Sequence, residues 1–299
     1  RRATPDEMAR KPQALGWKLR AEIVTDQGPR LADTFMEPGQ SRQVRIDQKT
    51  APQLALGQLV PMLWLTPAMD RLWLEAAEGR RRFLDRTTLS FAPDHTGQVL
   101  AYDKAMRDRN RLLRDGVRDA YWYAALEAQM AKSGAQITAN RRHALAALAA
   151  HADPDSPFPM AKLSLDCSAP DDLAVALADG RSLVGPHRAD LRAVWAAKGM
   201  EAAQCSTGEQ KAFLISAILA NARALASQAD TPPILLLDEV AAHLDADRRA
   251  ALYDAVCAIG AQCFMTGTGA DLFAELRPRA QIFALSDRDG VSHVDEELP

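Results

Sequence analysis

A short apolar run that ends in two acids decides the fold of this 299-residue chain: Pro232-Pro233-Ile234-Leu235-Leu236-Leu237-Asp238-Glu239. An unbroken apolar tetrad after two prolines predicts a strand that is buried on both faces. A helical pattern over residues 208–227 precedes it, and a helix over 246–258 and a strand over 261–265 are predicted to follow. Strands that alternate with helices in this way indicate a parallel α/β sheet.

The two acids stand at the carboxyl end of the predicted strand, where an open α/β sheet places its ligands. In nucleotide hydrolases the first such acid holds Mg²⁺, usually through water, and the next acid can polarise the attacking water. Asp238 and Glu239 are therefore candidate catalytic residues, with Asp238 as the metal ligand. The alternative is a strand that simply stops at a solvated pair of acids.

A second segment, Ser206-Thr207-Gly208-Glu209-Gln210-Lys211, opens the helix that precedes this strand. Serine or threonine caps the free backbone N–H groups, and glycine lets a ligand approach the backbone closely. A helix N-terminus of this composition is suited to binding an anion such as a phosphate group. An ordinary capped helix is the alternative.

Two further segments follow in order: Ala241-Ala242-His243-Leu244-Asp245 and Cys263-Phe264-Met265-Thr266-Gly267-Thr268. The four segments together resemble the C-terminal half of an ABC-type ATPase. The resemblance implies a nucleotide-binding signature motif, acting in trans across a dimer, at Ser206, Thr207, Gly208, Glu209 and Gln210. It also implies Walker B acids at Asp238 and Glu239, a D-loop that includes Asp245, and a switch residue at Thr266 or Thr268.

The amino-acid sequences of six segments narrow the resemblance to the RecF family of bacterial DNA-repair proteins. The segments are Gly79–Asp85, Arg109–Leu113, Val184–Leu191, Ser206–Ala212, Leu236–Asp245 and Met265–Thr268. The fold that this resemblance implies is an α/β ATPase head of the ABC type, with a mixed sheet flanked by helices and an inserted compact helical domain. The expected layout is an N-terminal β-rich part of the head over 1–67, the helical insert over 68–155 and a C-terminal ATPase lobe over 156–299.

The same resemblance implies a function. A RecF-like protein forms an ATP-dependent homodimer on DNA at single-strand gaps, with ATP and Mg²⁺ as cofactors and with slow hydrolysis as a release switch. The implied partners are single-stranded and gapped duplex DNA, recombination mediators such as RecR and RecO, and a RecA-type recombinase. The implied setting is DNA replication, recombinational repair and the SOS response, in the bacterial cytoplasm and associated with the nucleoid.

The sequence departs from this pattern at the phosphate-binding loop. An active ATPase of this type needs a glycine-rich loop that ends in Gly-Lys-Ser/Thr. Only Lys49 and Lys132 are followed by a hydroxyl residue, and neither is preceded by glycine. Because the chain also begins without methionine, we expect an N-terminally truncated sequence that neither binds nor hydrolyses ATP appreciably. A smaller departure is Gly269, which stands where the family would place an acid.

The segment before this lobe contains the candidate DNA contacts. Residues 17–65 favour a small antiparallel sheet, with alternating apolar residues over 17–23 and 43–47 and a third apolar run over 59–65. Residues 68–152 have a helical pattern, and eleven basic against seven acidic residues over 71–118 make that region locally basic. The candidate DNA-binding residues are Arg80, Arg81, Arg82, Arg107, Arg109 and Arg111. For the first three, internal ion pairs with Glu78 or Asp85 are the alternative.

Composition excludes several classes of protein. The chain is 47% hydrophobic and 25% charged, which argues against wholesale disorder, and no run approaches the length of a membrane span. A net charge of -3 argues against a uniformly basic coat, and four scattered cysteines suggest neither a zinc site nor a disulfide framework. Two rival functions stay open. One is another SMC-type or transporter-type ATPase head, and the other is a non-catalytic scaffold for DNA or protein.

Overall fold

The computed structural model describes residues 4–10, 15–167, 182–228 and 232–297. The chain divides into two compact units, of which the first joins residues 1–68 to residues 225–299 and the second contains residues 69–224. The layout expected from the sequence, with boundaries after residues 67 and 155, stays a prediction. In the ranges that the structure describes, no helix is both long enough and apolar enough to cross a membrane.

The described strands and helices are numbered here along the chain. The strands are β1 (Trp17–Thr25), β2 (Gly28–Met36), β3 (Gln43–Ile46), β4 (Lys49–Ala51), β5 (Met62–Leu65), β6 (Lys162–Asp166), β7 (Asp190–Trp195), β8 (Met200–Glu201), β9 (Ile234–Leu237), β10 (Cys263–Met265), β11 (Ile282–Arg288) and β12 (Val291–Glu297). The helices are α1 (Leu56–Leu59), α2 (Ala77–Leu89), α3 (His95–Arg114), α4 (Ala120–Ala150), α5 (Thr207–Ala226) and α6 (Ala246–Ile259).

The first unit contains the parallel sheet that the apolar run predicts. β9 is its central strand, and both β5 and β10 pair with it in parallel. The prediction that the run at residues 59–65 belongs to the N-terminal antiparallel sheet is wrong, because that sheet is built from β1 to β4 and the run forms β5. Local alternation predicts a strand but not its partner, and β5 finds its partner about 170 residues further along the chain.

The prediction that β9 is buried on both faces is also wrong. Leu235 and Leu237 are buried, whereas Leu236 on the opposite face is 37% exposed. Trp64 and Phe264 stand beside Leu236 in register on the neighbouring strands, and both are exposed as well. An apolar run therefore indicates a strand without fixing how many of its faces are covered.

The second unit has a helical part built on α2, α3 and α4. The helical pattern of residues 68–152 is confirmed, and α3 and α4 form an antiparallel pair joined at Gly116. Gly116 has a φ of 66°, which glycine adopts without strain. Tyr102, Met130 and Ile137 form an apolar cluster between α3 and α4. The pair is therefore a packed scaffold rather than two solvated helices.

The rest of the second unit is a small antiparallel sheet in the order β6-β7-β8, followed by α5. Helix α5 is buried almost throughout, because alanine, leucine and isoleucine fill its middle on every side. A helix that is apolar all round must lie inside its unit. Its first turn is the exception, since residues 206–208 are exposed. These residues open the predicted anion site.

Candidate functional site

The acids that follow β9 are joined by one hydroxyl group. The Asp238 backbone N–H donates to the Leu65 carbonyl at 2.9 Å, which fixes the end of the strand against β5. The Thr266 hydroxyl donates to Asp238 Oδ1 at 2.6 Å and accepts from the Glu239 N–H at 3.1 Å. Thr266 therefore positions both acids, although it is exposed like Thr268, and the switch role of either threonine stays a prediction. The structure brings Asp238, Glu239 and Thr266 together at one edge of the parallel sheet.

Glu239 has an unusual backbone conformation. Its φ is 54°, in the left-handed region that residues other than glycine rarely adopt. Since β9 ends at Leu237, neither acid lies within the strand, and the alternation of side chains along a strand does not govern them. A strained residue next to a candidate metal ligand is a common property of functional sites.

The donor chemistry of Asp238 fits Mg²⁺. Its carboxylate is exposed, and the hydroxyl of Thr266 orients one of its oxygens. Mg²⁺ prefers oxygen ligands, keeps several waters and often takes only one or two carboxylates from the protein. Three or more potential metal-ligating side chains do not cluster anywhere in the described residues. The fit is therefore to a cation held largely by water and phosphate.

Asp245, the predicted D-loop residue, caps a helix. Its side chain accepts a hydrogen bond from the Arg248 backbone N–H at 2.9 Å, at the start of α6. An acidic cap of this kind stabilises the first turn of a helix. This contact gives Asp245 a structural role, and its D-loop role stays a prediction.

The signature residues 206–209 form a reciprocal cap at the start of α5. The Ser206 N–H donates to Glu209 Oε2 at 2.8 Å, and the Glu209 N–H donates to Ser206 Oγ at 3.3 Å. Lys198 Nζ lies 2.7 Å from Glu209 Oε1. This contact with Lys198, followed by the Ser206 N–H, lowers the pKa of Glu209 to about 2. The carboxylate is therefore ionised at the helix N-terminus and its charge is balanced by a lysine.

The first-turn N–H groups of Thr207 and Gly208 have no partner four residues earlier within α5. Both residues are exposed, and a side chain added at Gly208 would meet no atom within 4 Å. These groups could therefore face an approaching phosphate. Gln210 could not, because its side chain is buried and donates to the Cys205 carbonyl at 2.9 Å. Burial corrects the prediction that Gln210 contacts nucleotide and makes it an anchor for the cap.

The candidate arginines of α2 differ in how they are held. Arg80 makes a two-pronged ion pair with Asp190, with both N–O distances at 2.8 Å, and Arg81 donates to the Ala189 carbonyl at 3.1 Å. Arg82 is exposed and pairs with Glu78, as the alternative interpretation predicted. Arg80 and Arg81 therefore fasten α2 to β7, and only Arg82 is presented to solvent.

The candidates on α3 separate in the same way. Arg107 and Arg111 are exposed, and Arg111 pairs with Asp108 at 3.3 Å. Arg109 is 2% exposed, lies 3.0 Å from Glu127 and donates to the Ser182 hydroxyl at 2.8 Å. A guanidinium buried in this way cannot touch a DNA phosphate, so Arg109 leaves the set of candidate contacts. The sequence conceals this difference because all three residues are arginines within five positions.

Proteins of known function resemble this chain over most of its length. The DNA replication and repair protein RecF of Mesorhizobium japonicum is 42% identical over 312 residues, which cover 95% of this chain and 82% of that protein. RecF of a Caulobacter strain is 47% identical over 268 residues, which cover 80% and 68%. Identity of this extent over so much of both chains shows the family.

The chain belongs to the RecF family.

A solved structure described as the recombination mediator protein RecF with ATP, in the RecFOR pathway, has the same fold as this RecF-family chain. It covers 99% of this chain and 83% of its own, with a TM-score of 0.76 at 18% identity. The Smc head domain of Pyrococcus yayanosii is more distant, with a TM-score of 0.51 at 14% identity. The ABC-type ATPase fold expected from the sequence is thereby confirmed. No family model matches the chain.

Two of the RecF-like sequence segments meet in a cluster that sequence reasoning missed. Asp85, at the end of Gly79–Asp85, binds Arg141 through both of its oxygens at 2.7 and 3.0 Å. Arg141 also donates to the Pro186 carbonyl at 2.7 Å, within Val184–Leu191. His95 Nε2 lies 2.9 Å from Asp85. No pattern in the sequence pairs residues 85 and 141, so only the structure reveals that these RecF-like segments hold the second unit together.

Proposed function

We propose that this chain is an ATP-dependent, dimeric DNA-binding clamp that acts at single-strand gaps and helps to load a recombinase. The family establishes a DNA replication and repair protein of the RecF type. The observation that carries the finer proposal is the first turn of α5, where a capped and exposed N-terminus presents the backbone of Thr207 and Gly208. Such an end is suited to the γ-phosphate of a nucleotide held by a second subunit.

The strand-end acids supply the other half of the proposed chemistry. Asp238 would hold Mg²⁺ through water, and Glu239 would orient and deprotonate the attacking water. The Thr266 hydroxyl fixes Asp238 and the Glu239 backbone to each other, so it is the positioning residue of this edge. Mg²⁺, when bound, would offset the charge that develops on the phosphate oxygens. Slow hydrolysis would then release the dimer from DNA.

The proposed setting is recombinational repair and the SOS response, in the bacterial cytoplasm and at the nucleoid. A protein described as RecF with ATP in the RecFOR pathway shares the fold, which supports ATP as the ligand and mediators of the RecR and RecO type as partners. A RecA-type recombinase would be the component that is loaded. DNA affinity in this scheme comes mainly from phosphate contacts and falls steeply with salt.

The decisive experiment separates dimerisation from nucleotide binding. Gly208→Asp should abolish ATP-driven dimerisation, measured by light scattering, because a carboxylate would repel the phosphate of the partner's nucleotide. ATP binding by each subunit should persist, since the signature acts in trans. Gly97→Asp is the matched control, because Gly97 also lies in the first turn of a helix and a side chain there would meet no atom within 4 Å.

The experiment is done on the protein as its gene encodes it. ATP-dependent dimers of the wild type that survive Gly97→Asp and are lost in Gly208→Asp would support the clamp. Glu239→Gln should slow hydrolysis and prolong the dimer on DNA. A wild-type protein that binds DNA but no ATP would end the switch mechanism and favour the non-catalytic scaffold.

A further inference from the structure

One face of α3 carries a straight row of basic side chains. Its members recur at spacings of three, four and three residues, which places them on the same side of a helix. They are Lys104, Arg107, Arg111 and Arg114, here called the basic row, and all four are exposed. The buried positions of α3, such as Tyr102, Ala105 and Leu113, lie on the opposite side, against α4. The basic row therefore points to solvent along its whole length.

Three acids flank the four basic members of this row. They are Asp103 and Asp108 on α3 and Asp115 directly after it, and Asp108 lies 3.3 Å from Arg111. Among the described residues, no carboxylate lies within 4 Å of the charged groups of Lys104, Arg107 or Arg114. An exposed pair such as Arg111 with Asp108 contributes little and exchanges easily for another anion. The row is therefore available to an external partner of opposite charge.

The scaffold under the row is fixed at its far end. Leu113 packs against Tyr123 at the start of α4, and the Tyr123 hydroxyl donates to the Val117 carbonyl at 2.8 Å. Gly116 closes the connection through a hydrogen bond from its N–H to the Leu113 carbonyl at 3.2 Å. From Lys104 to Arg114 the helix rises about 15 Å. The backbone positions that carry the four charges are therefore held at fixed intervals along one side of the helix.

We propose that the basic row is a contact surface for the phosphate backbone of duplex DNA. Duplex DNA carries one negative charge per roughly 1.7 Å of its axis, so roughly nine phosphate charges, counted on both strands, lie within about 15 Å of the duplex. A single strand has a lower charge density and no fixed line to match. The inference rests on the proposed DNA-binding function and deepens it. It adds Lys104 and Arg114 to the candidate DNA contacts. Arg80 and Arg109 are not among them, because Arg80 pairs with Asp190 and Arg109 is buried.

The test compares two double variants with the same change of charge. Arg107→Gln/Arg114→Gln removes two members of the row, and glutamine keeps the helix propensity. Arg142→Gln/Arg288→Gln is the matched control, because both arginines are exposed and lie on other elements. Fluorescence anisotropy measures the affinity for a short blunt duplex, and for a single strand of equal length, between about 50 and 200 mM salt. Circular dichroism checks that each variant is folded.

The row variant should lower the salt slope of duplex binding by about 1.8, because each lost phosphate contact removes about 0.9. At about 100 mM salt this corresponds to a loss of duplex affinity on the order of tenfold or more, with the control close to the wild type. Equal slopes for the two variants, or a loss confined to the single strand, would overturn the inference. So would poly-glutamate that competes as well as duplex DNA at equal charge, since the row would then be a site for acidic proteins.

The two levels of the proposal fail in different ways. A wild-type protein, as its gene encodes it, that binds neither duplex nor single strand at low salt with ATP present would overturn the inference together with the proposed function. A wild-type chain that binds duplex DNA equally well with and without the row would overturn the inference alone. The DNA-binding function would then rest on other basic residues, such as Arg82.

Discussion

The ion pair between Asp85 and Arg141 should be one of the largest single contributions to the stability of the second unit. Arg141 has 4% of its side chain exposed and Asp85 has 26%. Burial alone would raise the pKa of Asp85, but the contacts with His95 and Arg141 outweigh burial and hold that pKa below its ordinary value. Asp85→Ala would leave the Arg141 guanidinium buried, and of its acceptors among the described residues only the Pro186 carbonyl would remain.

The expected effect follows from this burial. Removing one partner of a buried ion pair destabilises a protein by about 3–5 kcal/mol, and the partial exposure of Asp85 favours the lower end, about 3 kcal/mol. With a denaturant slope of about 3 kcal/mol per molar urea, the midpoint of unfolding should fall by about 1 M. Asp85→Leu/Arg141→Met should cost less than either single variant, because no charge is then left unpaired.

The assay is urea unfolding followed by the helix signal in circular dichroism, which α2, α3 and α4 dominate. Glu78→Ala is the control, because its pair with Arg82 is exposed and should contribute less than about 0.5 kcal/mol. A loss below about 1 kcal/mol for Asp85→Ala would refute the reasoning. An effect of the double substitution equal to the sum of the single effects would refute it equally, since independent residues do not couple.

Three further predictions concern single positions. The wild type should have a higher free energy of unfolding than Glu209→Gln. Because the pKa of Glu209 is lowered in the folded state, this difference should be fully present above about pH 4.5 and should vanish as pH falls through about 2. A difference independent of pH would contradict the role of Glu209 in the helix cap. Gly185→Ala should destabilise the protein by about 2 kcal/mol or more in thermal unfolding, because φ is 138° and the new methyl group would lie 2.1 Å from the Tyr102 hydroxyl oxygen. Gly97→Ala is the control, because a methyl group there would have no atom within 4 Å. Equal melting temperatures for the two variants would contradict the prediction. Cys263 should react with a thiol reagent far more slowly than the exposed Cys257, because burial raises the pKa of the Cys263 thiol to about 12. Equal reaction rates would show that Cys263, at the start of β10, is open to solvent.

Local chemistry predicted the elements of this fold better than their partners. The run Ile234–Leu237 gave its strand and the two acids after it, and Ser206 gave the start of α5, because capping and apolar runs are short-range properties. The pairing of β5 with β9 depends on packing across about 170 residues, which no local pattern encodes. Strand prediction and sheet assembly are thus separate problems in this chain.

The candidate site shows the same limit at the level of side chains. Glu209 and Ser206 interact within one turn, so their contact could be read from the sequence. Arg109 and Arg111 are alike in the sequence, but a helix turns their side chains to different sides, so that one is buried and the other is exposed. Thr266 was one of two candidate switch residues, and only the structure shows that its hydroxyl contacts Asp238. The switch role itself stays a prediction.

At Glu239 the left-handed backbone brings thermal stability into conflict with the proposed hydrolysis. A φ of 54° costs a residue with a Cβ atom roughly 1–2 kcal/mol, and glycine would adopt it freely. Glu239→Gly would therefore relieve the strain while removing the carboxylate proposed to activate water. A screen that ranks variants of this chain by melting temperature alone would enrich that substitution, so a library designed to raise the melting temperature should leave residue 239 unchanged.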